Sequence, residues 1–252
     1  MKRDNTTTRR YLSDAGVKQG MHVIEIGCGG GEVTEVLAEL VGSSGAVVAI
    51  DHNQNALATA QARLRERGIE YVQFIFADIT GDLSSLEGFQ QEGFDILAGR
   101  RVLMYLQDPA EVLRRLARWL RPGGWVVFEE SDLTMVPGRT SSLAAHDQAM
   151  EWLRRMLTME GANTAMGFGL PTTLIKAGLR FEGIRAEAVI QGQGTQYPLA
   201  TLLKLMEVRV ISAGIATQEE VNSLVARLDV ESRDPAWVYV SDISFCAWGQ
   251  KP

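Results

Sequence analysis

Short apolar runs alternate with amphipathic stretches over the first half of the chain. The apolar runs are predicted to be strands and lie at residues 22–26, 46–50, 71–76, 94–98 and 125–129. The stretches between them place apolar residues at helical spacing and predict helices at residues 32–41, 53–67 and 110–120. Strands that alternate with helices favour right-handed crossovers and a mostly parallel sheet. Because the strands are apolar throughout, helices are expected on both faces, which is the doubly wound α/β fold.

The pattern changes after residue 130. Helices are predicted at residues 141–159, 170–177, 199–212 and 218–228, and long strands at residues 181–190 and 237–248. The apolar stripes of the two late helices fit either a core contact or a wall of a substrate site. The chain shows no internal repeat, and its length favours a single domain.

The charge balance narrows the classes of partner. The 252 residues contain 25 Lys plus Arg against 31 Asp plus Glu, a net charge of -6, whereas broad binding to DNA or RNA normally needs a basic face. The two cysteines, Cys28 and Cys246, imply no disulfide framework. No apolar run reaches the roughly 18 residues of a membrane span and no secretory leader is recognisable, so we expect a cytoplasmic protein. The sequence leaves a homodimer open.

A glycine-rich turn follows the first predicted strand, and a predicted helix begins directly after it. Glycine lets the backbone approach a ligand closely and adopt positive φ, and the helix N-terminus offers unpaired N–H groups, so such turns bind nucleotide cofactors. A dinucleotide fingerprint places glycine at the first, third and sixth positions of the turn. Here Gly27 and Gly29 fill the first two, but Glu32 occupies the sixth and Gly31 the fifth. The turn therefore departs from the pattern of an NAD-binding protein.

Three acidic residues at strand ends indicate the chemistry of the ligand. Glu25 lies two residues before the turn, where a carboxylate suits an ammonium or sulfonium rather than a pyrophosphate, and pairing with a basic neighbour is the alternative. Asp51 is placed to accept hydrogen bonds from ribose hydroxyls, or to cap the next helix, a role better suited to Asn53. Asp78 is placed to accept from an adenine amino group, with Ile79 against the ring, or to form an Asx turn.

These motifs resemble those of class I S-adenosylmethionine-dependent methyltransferases. The resemblance rests on residues 25–31, Asp51, Asp78 and the sequence Leu-Arg-Pro-Gly-Gly at residues 120–124, and its ordered motifs cover residues 11–130. It is strongest to the small-molecule group that includes ubiquinone and menaquinone biosynthesis methyltransferases. It implies a Rossmann-like sheet of seven strands whose last strand, at residues 237–248, is antiparallel and lies between the fifth and sixth. It also implies S-adenosyl-L-methionine as cofactor and methyl transfer to a small organic molecule.

The resemblance implies roles for further residues. The turn is expected to contact the cofactor through Gly27, Cys28, Gly29 and Gly31. Tyr11 matches an aromatic residue that covers the amino-acid end of the cofactor, with a core tyrosine as the alternative. Arg100 matches a frequent arginine after the fourth strand, which engages the cofactor carboxylate or stabilises the local loop. His52 is expected to pack on the cofactor. Tyr105 stands where histidine is common in the family, so a role of that histidine does not carry over to this chain by the resemblance.

We interpret residues 1–252 as one methyltransferase domain, with a cofactor-binding half at 1–130 and helical substrate-side or lid segments at 131–180 and 192–236. The sequence leaves open whether the acceptor needs a general base, as a hydroxyl or carbon acceptor can. His146 and Glu130 are candidates for that base, and Asp132 is an alternative. We expect a moderately apolar acceptor and no metal site, and the acceptor atom stays open between oxygen, nitrogen and carbon. The competing hypotheses are an NAD(P)-dependent oxidoreductase and a protein that binds the cofactor without methylating.

Overall fold

The structure, a computed structural model, describes residues 5–81, 92–134, 143–188, 190–191, 199–234, 238–240 and 243–252. Backbone contacts divide the chain into two compact units. Unit 1 comprises Met1–Glu130, Met166–Ala186 and Phe245–Pro252, and unit 2 comprises Ser131–Ala165 and Glu187–Ser244. The segment predicted on the substrate side, residues 131–180, thus contributes its last part to unit 1.

Seven strands form one mixed sheet. The described strands are β1 (His22–Ile26), β2 (Ala46–Asp51), β3 (Val72–Phe76), β4 (Phe94–Arg100), β5 (Leu120–Asp132), β6 (Arg180–Glu187), β7 (Ile190–Gln191), β8 (Tyr239–Val240) and β9 (Ile243–Gln250). The sheet order is β3-β2-β1-β4-β5-β9-β6. Neighbours among β1 to β5 are parallel, and the last strand, β9, is antiparallel. The predicted Rossmann-like sheet, with its last strand between the fifth and sixth, is confirmed.

Helices connect the strands of the sheet. The described α-helices are α1 (Thr6–Asp14), α2 (Glu32–Val41), α3 (Gln54–Glu66), α4 (Pro109–Leu116), α5 (Ala144–Met159), α6 (Met166–Lys176), α7 (Leu199–Leu205), α8 (Glu207–Ser212) and α9 (Gln218–Glu231). The order of strands reverses at β1, which lies between β2 and β4. In open α/β sheets, ligands bind at the carboxyl ends of the strands at such a point. The glycine turn between β1 and α2 lies there.

The Pro-Gly-Gly sequence at residues 122–124, predicted to end a helix, lies inside a strand. Helix α4 ends at Leu116, a 3₁₀ turn follows, and β5 already begins at Leu120. The pairing with β4 moves from Phe94–Leu120 to Ile96–Trp125, so the three residues bulge out of the ladder. A bulge tolerates a proline without an N–H and a glycine with positive φ. The predicted helix was therefore too long and the predicted strand too short.

Several late elements are interrupted where one continuous element was predicted. The predicted helix at 199–212 is two helices, α7 and α8, which meet at Met206. The predicted strand at 181–190 ends as β6 at Glu187, and β7 follows. The predicted strand at 237–248 is β8 and β9, and β8 pairs with β7 in a separate antiparallel ribbon. Residues 235–237 and 241–242 lie outside the described residues. The apolar pattern continues across these breaks, so periodicity does not reveal them.

Each unit has its own apolar core. In unit 1, α1 and α2 pack on the central strands through buried residues such as Tyr11, Leu37, Val23 and Ile96. In unit 2, the apolar stripes of α7 and α9 pack against α5 in one cluster that includes Trp152, Met156, Leu203, Val221, Leu224 and Leu228. The stripes that fitted either a core or a substrate wall thus contribute to the core of unit 2. Among the described helices, none combines the length and the apolar character that crossing a membrane requires.

The glycine turn needs glycine for two different physical reasons. Gly27, Gly29 and Gly31 have φ angles of +64°, +52° and +79°, a region that side chains rarely adopt. A Cβ on Gly31 would lie 2.8 Å from the Cβ of Ala60 in α3, closer than side-chain atoms approach one another. A Cβ on Gly29 would meet nothing within 4 Å. Gly31 therefore serves the close approach of the turn to α3, whereas Gly29 borders open space.

Alanine at Gly31 should destabilise the fold far more than alanine at Gly29. Both substitutions place a side chain at positive φ, but only the Gly31 variant also forces Ala60 and α3 to move. We expect the free energy of unfolding to fall by about 1 kcal/mol for Gly29→Ala and by about 3 kcal/mol for Gly31→Ala, measured by urea denaturation. Equal losses in the two variants would contradict the close contact between the turn and α3.

Candidate cofactor site

The acid of the first strand, Glu25, is buried in the middle of the sheet. It lies opposite Ala49 of β2 and Ala98 of β4, and only 1% of it is exposed. Burial raises the pKa of Glu25 to about 7, against the opposing effects of the Thr34 hydroxyl and the Arg100 guanidinium. Its Oε2 atom has no hydrogen-bond partner among the described residues. A buried carboxylate oxygen without a partner is unfavourable unless a ligand supplies a donor.

Asp51, at the end of β2, fixes the glycine turn. Its Oδ2 accepts from the N–H of Gly29 and its Oδ1 from the N–H of Asn53, both at 2.8 Å. The cap of α3 is Asn53, whose side-chain oxygen accepts from the first free N–H groups of that helix. The alternative interpretation of Asp51 as a helix cap is therefore wrong. Because each carboxylate oxygen accepts two hydrogen bonds, Asp51 retains acceptor capacity for ribose hydroxyls.

Asp78 and His52 lie near Asp51, at the ends of β3 and β2. The Asp78 Oδ1 atom accepts from the N–H and the hydroxyl of Thr80 at 2.8 and 2.7 Å, so the predicted alternative of an Asx turn is present. These hydrogen bonds lower the pKa of Asp78, and His52 adds a smaller effect. His52 is 82% exposed at its side chain, with Nδ1 3.8 Å from Asp51 Oδ1. Ile79 is buried. One Asp78 oxygen is thus committed to the turn, and a contact of this carboxyl group with an adenine amino group stays a prediction.

Two residues that the sequence linked to the amino-acid end of the cofactor have structural contacts. Tyr11 is fully buried in the core of unit 1, as in the alternative of a core tyrosine. Arg100 makes structural contacts, as in the second of its two predicted roles. Its guanidinium donates to Asn5 Oδ1 at 3.1 Å and to Thr8 Oγ1 at 3.0 Å. It also pairs with Glu32 Oε2 at 3.0 Å. Whether either residue touches the cofactor stays a prediction.

Arg63 is a residue of the site that sequence reasoning missed. From α3 its Nε donates to the carbonyl oxygen of Gly30 at 2.7 Å. Its Nη1 and Nη2 lie 3.6 Å from Glu35 and 3.8 Å from Glu32. Arg63 thus holds the glycine turn and the first turn of α2 together. Glu32, an acid at the position where a dinucleotide site has glycine, indicates that a basic partner could lie nearby. The sequence does not indicate that this partner is Arg63, which lies 31 residues further along the chain.

Cys28, within the glycine turn, is a buried thiol. Burial raises its pKa well above the usual value, and the nearby carboxyl groups of Glu25 and Asp51 raise it further. Cys246 in β9 is also buried, and its pKa is likewise raised. Both shifts favour the protonated thiol near neutral pH, which disfavours either cysteine as a nucleophile.

The two acids proposed near the end of the fifth strand lie within β5. Glu130 Oε1 accepts from the N–H of Val102 and of Leu103 at 2.9 and 2.7 Å, which fixes the start of the loop after β4. Burial raises the pKa of Glu130 to about 7, and its Oε2 is buried with no hydrogen-bond partner among the residues that the structure describes. Asp132 Oδ1 accepts from the N–H and hydroxyl of Thr134. Glu130 therefore combines a fixed position with one uncommitted oxygen.

His146 belongs to unit 2, in the first turn of α5. Its side chain is buried against the ring of Tyr239, with 4.2 Å between the ring centroids. The carboxylate of Glu231 accepts from the N–H groups of Ala145 and His146 and so caps the N-terminus of α5. The placement of His146 is thus explained by packing within unit 2, and its role as a base stays a prediction.

The site described so far suits a cofactor with a positive charge and an adenosine. Glu25 offers a buried oxygen to a cation, Asp51 offers acceptors to a ribose, and Gly29 leaves open space at the turn. Three buried or turn-bound carboxyl groups would repel a pyrophosphate, which carries two negative charges. The arrangement therefore fits S-adenosyl-L-methionine better than NAD.

Replacing Glu25 by glutamine should stabilise the cofactor-free protein above neutral pH. The folded-state pKa of about 7 exceeds the ordinary value of 4.5, so ionisation of Glu25 opposes folding. Below the unfolded-state pKa, Glu25 does not lower the free energy of unfolding of the wild type. As the pH rises from there through the folded-state pKa, its ionisation lowers that free energy. We expect Glu25→Gln to be more stable by up to about 3 kcal/mol at pH 8, with no difference near pH 4. Urea denaturation of both proteins across this pH range measures the difference in their free energies of unfolding. A difference that does not change with pH would contradict the cost of ionising Glu25 in its buried position.

Comparison with known proteins identifies the family of the chain. A family model described as a methyltransferase domain matches residues 17–188. Demethylmenaquinone methyltransferase of Lactococcus lactis subsp. lactis (strain IL1403) is 32% identical over 118 residues, 47% of this chain and 45% of that protein. Ubiquinone biosynthesis O-methyltransferase of Stutzerimonas stutzeri (strain A1501) is 35% identical over 109 residues, 43% of this chain and 44% of that protein. The chain thus spans less than half the length of these two relatives.

The fold is shared over nearly the whole chain with a solved structure. A SAM-dependent methyltransferase from Aquifex aeolicus superposes with a TM-score of 0.57 at 14% identity, covering 99% of this chain and 90% of that one. At this identity the similarity shows the fold alone. The family model, in contrast, matches well over half of the sequence and includes the glycine turn, Asp51 and Asp78. The chain therefore belongs to the methyltransferase domain family.

Proposed function

We propose that the protein transfers a methyl group from S-adenosyl-L-methionine to a small, moderately apolar organic molecule. The observation that carries the proposal is Glu25, a buried carboxylate whose Oε2 has no partner in the described part of the chain, beside the glycine turn of a methyltransferase domain. A buried carboxyl group of this kind is retained at a cost in stability, which favours a role in binding a cation.

Each part of the site binds a different part of the proposed cofactor. Glu25 accepts from the ammonium group, Asp51 from the ribose hydroxyls and Asp78 from the adenine amino group. The glycine turn between them supplies N–H groups and, at Gly29, room for the ligand. These assignments are supported by the Glu25 oxygen that has no partner among the described residues and by the further hydrogen bonds that the oxygens of Asp51 and Asp78 can still accept.

The bound cofactor supplies an electrophilic methyl group on a sulfonium whose sulfur is the leaving group. The chain's own contribution is to hold the two reactants in line and to exclude water. The buried setting of Glu25 serves this purpose, because a carboxylate in a water-poor site interacts more strongly with a cation than one in solvent. The turn, fixed by Asp51 and Arg63, limits the movement of whatever it holds.

Glu130 is the general base that the structure supports best for a hydroxyl or carbon acceptor. Its Oε1 is held by two backbone N–H groups, so its Oε2 is fixed in direction and has no described partner. A pKa of about 7 gives a carboxylate strong enough to take a proton near neutral pH. His146 stays a prediction as the alternative base.

The acceptor class to test first is an aromatic compound with a ring hydroxyl. Both reported relatives are named as methyltransferases of quinone biosynthesis, and one of them as an O-methyltransferase. Quinone precursors are aromatic and moderately apolar, which agrees with the acceptor expected from the sequence. The buried, protonated cysteines disfavour acceptors that need thiolate ligands.

A transfer assay with cofactor labelled in the methyl group tests the proposal. The panel contains a catechol, a hydroxybenzoate, an aliphatic amine and a metabolite extract, each between about pH 6 and pH 9. We expect label in an aromatic hydroxyl product, with kcat rising through about pH 7 as Glu130 loses its proton. Binding of the cofactor without label transfer to any of these acceptors would favour the non-methylating hypothesis and contradict the proposal.

Glu130→Gln separates a base from a structural residue in the same assay. Glutamine still accepts hydrogen bonds from the loop through its carbonyl oxygen but does not take a proton. We expect kcat to fall by about 100-fold while the KM for the cofactor is unchanged. Glu182→Gln, the same change at an exposed carboxylate of β6 paired with Arg180, is the control and should leave kcat unchanged. An unaltered kcat in Glu130→Gln would remove Glu130 from the mechanism.

A further inference from the structure

The start of helix α1 is held to the sheet by buried polar contacts. Arg100, the last residue of β4, has a side chain only 11% exposed. Its Nη1 donates to Thr8 Oγ1 at 3.0 Å, and this hydroxyl in turn donates to Glu129 Oε2 of β5 at 2.7 Å. Nη1 also donates to Asn5, the residue before the helix. One threonine hydroxyl therefore joins α1 to the ends of two neighbouring strands.

The same guanidinium reaches the glycine turn. Its Nη2 lies 3.0 Å from Glu32 Oε2, and Glu32 is the first residue of α2, directly after Gly31. Asn5 adds a contact between α1 and this turn, since its side-chain amide donates to the carbonyl oxygen of Glu32 at 3.3 Å. On its other side Glu32 faces Arg63, which binds Gly30. The glycine turn and α1 are thus attached to a single arginine.

Packing alone does not hold this end of the helix. Thr8, Arg100 and Glu129 line a small cavity together with the apolar residues Tyr11 and Cys246. Where atoms are not in contact across a gap, dispersion attraction is lost. Buried charge-assisted hydrogen bonds are also stronger than exposed ones. The polar contacts of Arg100 therefore add to the apolar packing of Tyr11 and Leu12 in holding α1 to the sheet.

We propose that Arg100 is a positioning residue for cofactor binding. Its side chain joins helix α1 to the glycine turn, so that packing of the helix on the sheet and ordering of the turn occur together. The proposal rests on the proposed function of the glycine turn as the cofactor site. Arg100 acts through Glu32 and Thr8, without touching the cofactor. Binding at the turn then tightens α1, and a loosened α1 weakens binding, since the two are linked through one side chain.

Arg100 also acts on Glu25 through its charge. The charged or titratable groups that face Glu25 are Arg100 from β4, Asp51 from β2 and the Cys28 thiol from the turn. Among these only Arg100 is positive and favours the ionised carboxylate, which a cationic ligand needs. Loss of its charge should raise the pKa of Glu25 above about 7. This effect belongs to the charge of Arg100 and does not depend on its hydrogen bonds to α1.

Two variants separate the hydrogen bonds of Arg100 from its charge. Arg100→Gln removes both, whereas Thr8→Val removes the hydroxyl that links Arg100 to Glu129 and leaves the charge in place. Arg9→Gln is the matched control, because Arg9 also pairs α1 with α2, through Glu39, but on the surface with 42% of its side chain exposed. Exposed pairs of this kind contribute little.

The readouts are amide hydrogen exchange of α1 without cofactor and calorimetric affinity for S-adenosyl-L-methionine as a function of pH. We expect exchange over Thr6–Asp14 to be faster in Arg100→Gln and Thr8→Val than in the wild type and Arg9→Gln. We expect the dissociation constant to rise by about tenfold or more in the first two variants and by less than about twofold in the control. The acid limb of the affinity profile should move to higher pH only in Arg100→Gln.

Unchanged exchange of α1 in Thr8→Val, or wild-type affinity in Arg100→Gln, would overturn the proposal. If Arg100→Gln does not fold, Thr8→Val alone decides it, because that change keeps the size of the side chain. The exchange readout uses the cofactor-free protein. A wild type that ignores S-adenosyl-L-methionine would therefore refute the proposed function, while the exchange of α1 would still show whether Arg100 holds the helix.

Discussion

Burial of the Glu25 carboxylate at the centre of the sheet is the constraint on which the rest of the site depends. β1 is flanked by β2 and β4 and covered by helices, so a carboxyl group at this position is cut off from water. Its pKa rises to about 7, and one oxygen has no partner in the described part of the chain. A fold under selection for stability alone would place an apolar residue here. The proposed function accounts for this position, because a bound cation would supply the donor that the carboxyl group lacks.

The surrounding residues limit the movement of the turn that faces this carboxyl group. Asp51 holds the N–H of Gly29, Arg63 holds the carbonyl oxygen of Gly30, and Arg100 holds Glu32. The three contacts come from β2, α3 and β4, which surround β1 and α2. Glycine is required in the turn for its φ angles, yet glycine is the most flexible residue when unrestrained. Contacts from outside the turn therefore supply the rigidity that its own sequence lacks.

Much of this arrangement could be predicted from the sequence, and the limits have physical causes. Strand and helix positions around the turn follow from local apolar periodicity, and the role of Asn53 as helix cap and the position of Glu25 beside the turn follow from residue type and spacing. The resemblance to a known family supplied the position of the last strand. In contrast, the bonds from Arg100 to Thr8 and from Arg63 to Gly30 join residues far apart in sequence, and no periodic pattern encodes such pairs.

The errors also have local causes. The sequence predicts that Pro-Gly-Gly at residues 122–124 ends a helix, whereas these residues form a bulge within β5. Proline and glycine are common both at helix ends and in β-bulges, so the local sequence does not distinguish the two. The division of residues 199–212 into two helices at Met206 leaves the apolar pattern intact. Asp78 shows a different limit, since an Asx turn and a ligand contact use different oxygens of one carboxyl group. From the sequence, the Asx turn and the adenine contact are alternatives, whereas the structure is compatible with both.

The most direct test of the central claim is calorimetric titration with S-adenosyl-L-methionine and, separately, NAD, near pH 7 in two buffers of different ionisation enthalpy. The account predicts that the protein binds S-adenosyl-L-methionine and not NAD. Because Glu25 must ionise to receive the cation, binding should release about half a proton per cofactor, and Glu25→Gln should abolish that release. Binding of NAD, no binding of S-adenosyl-L-methionine at sub-millimolar concentration, or the same proton release in Glu25→Gln would contradict the account.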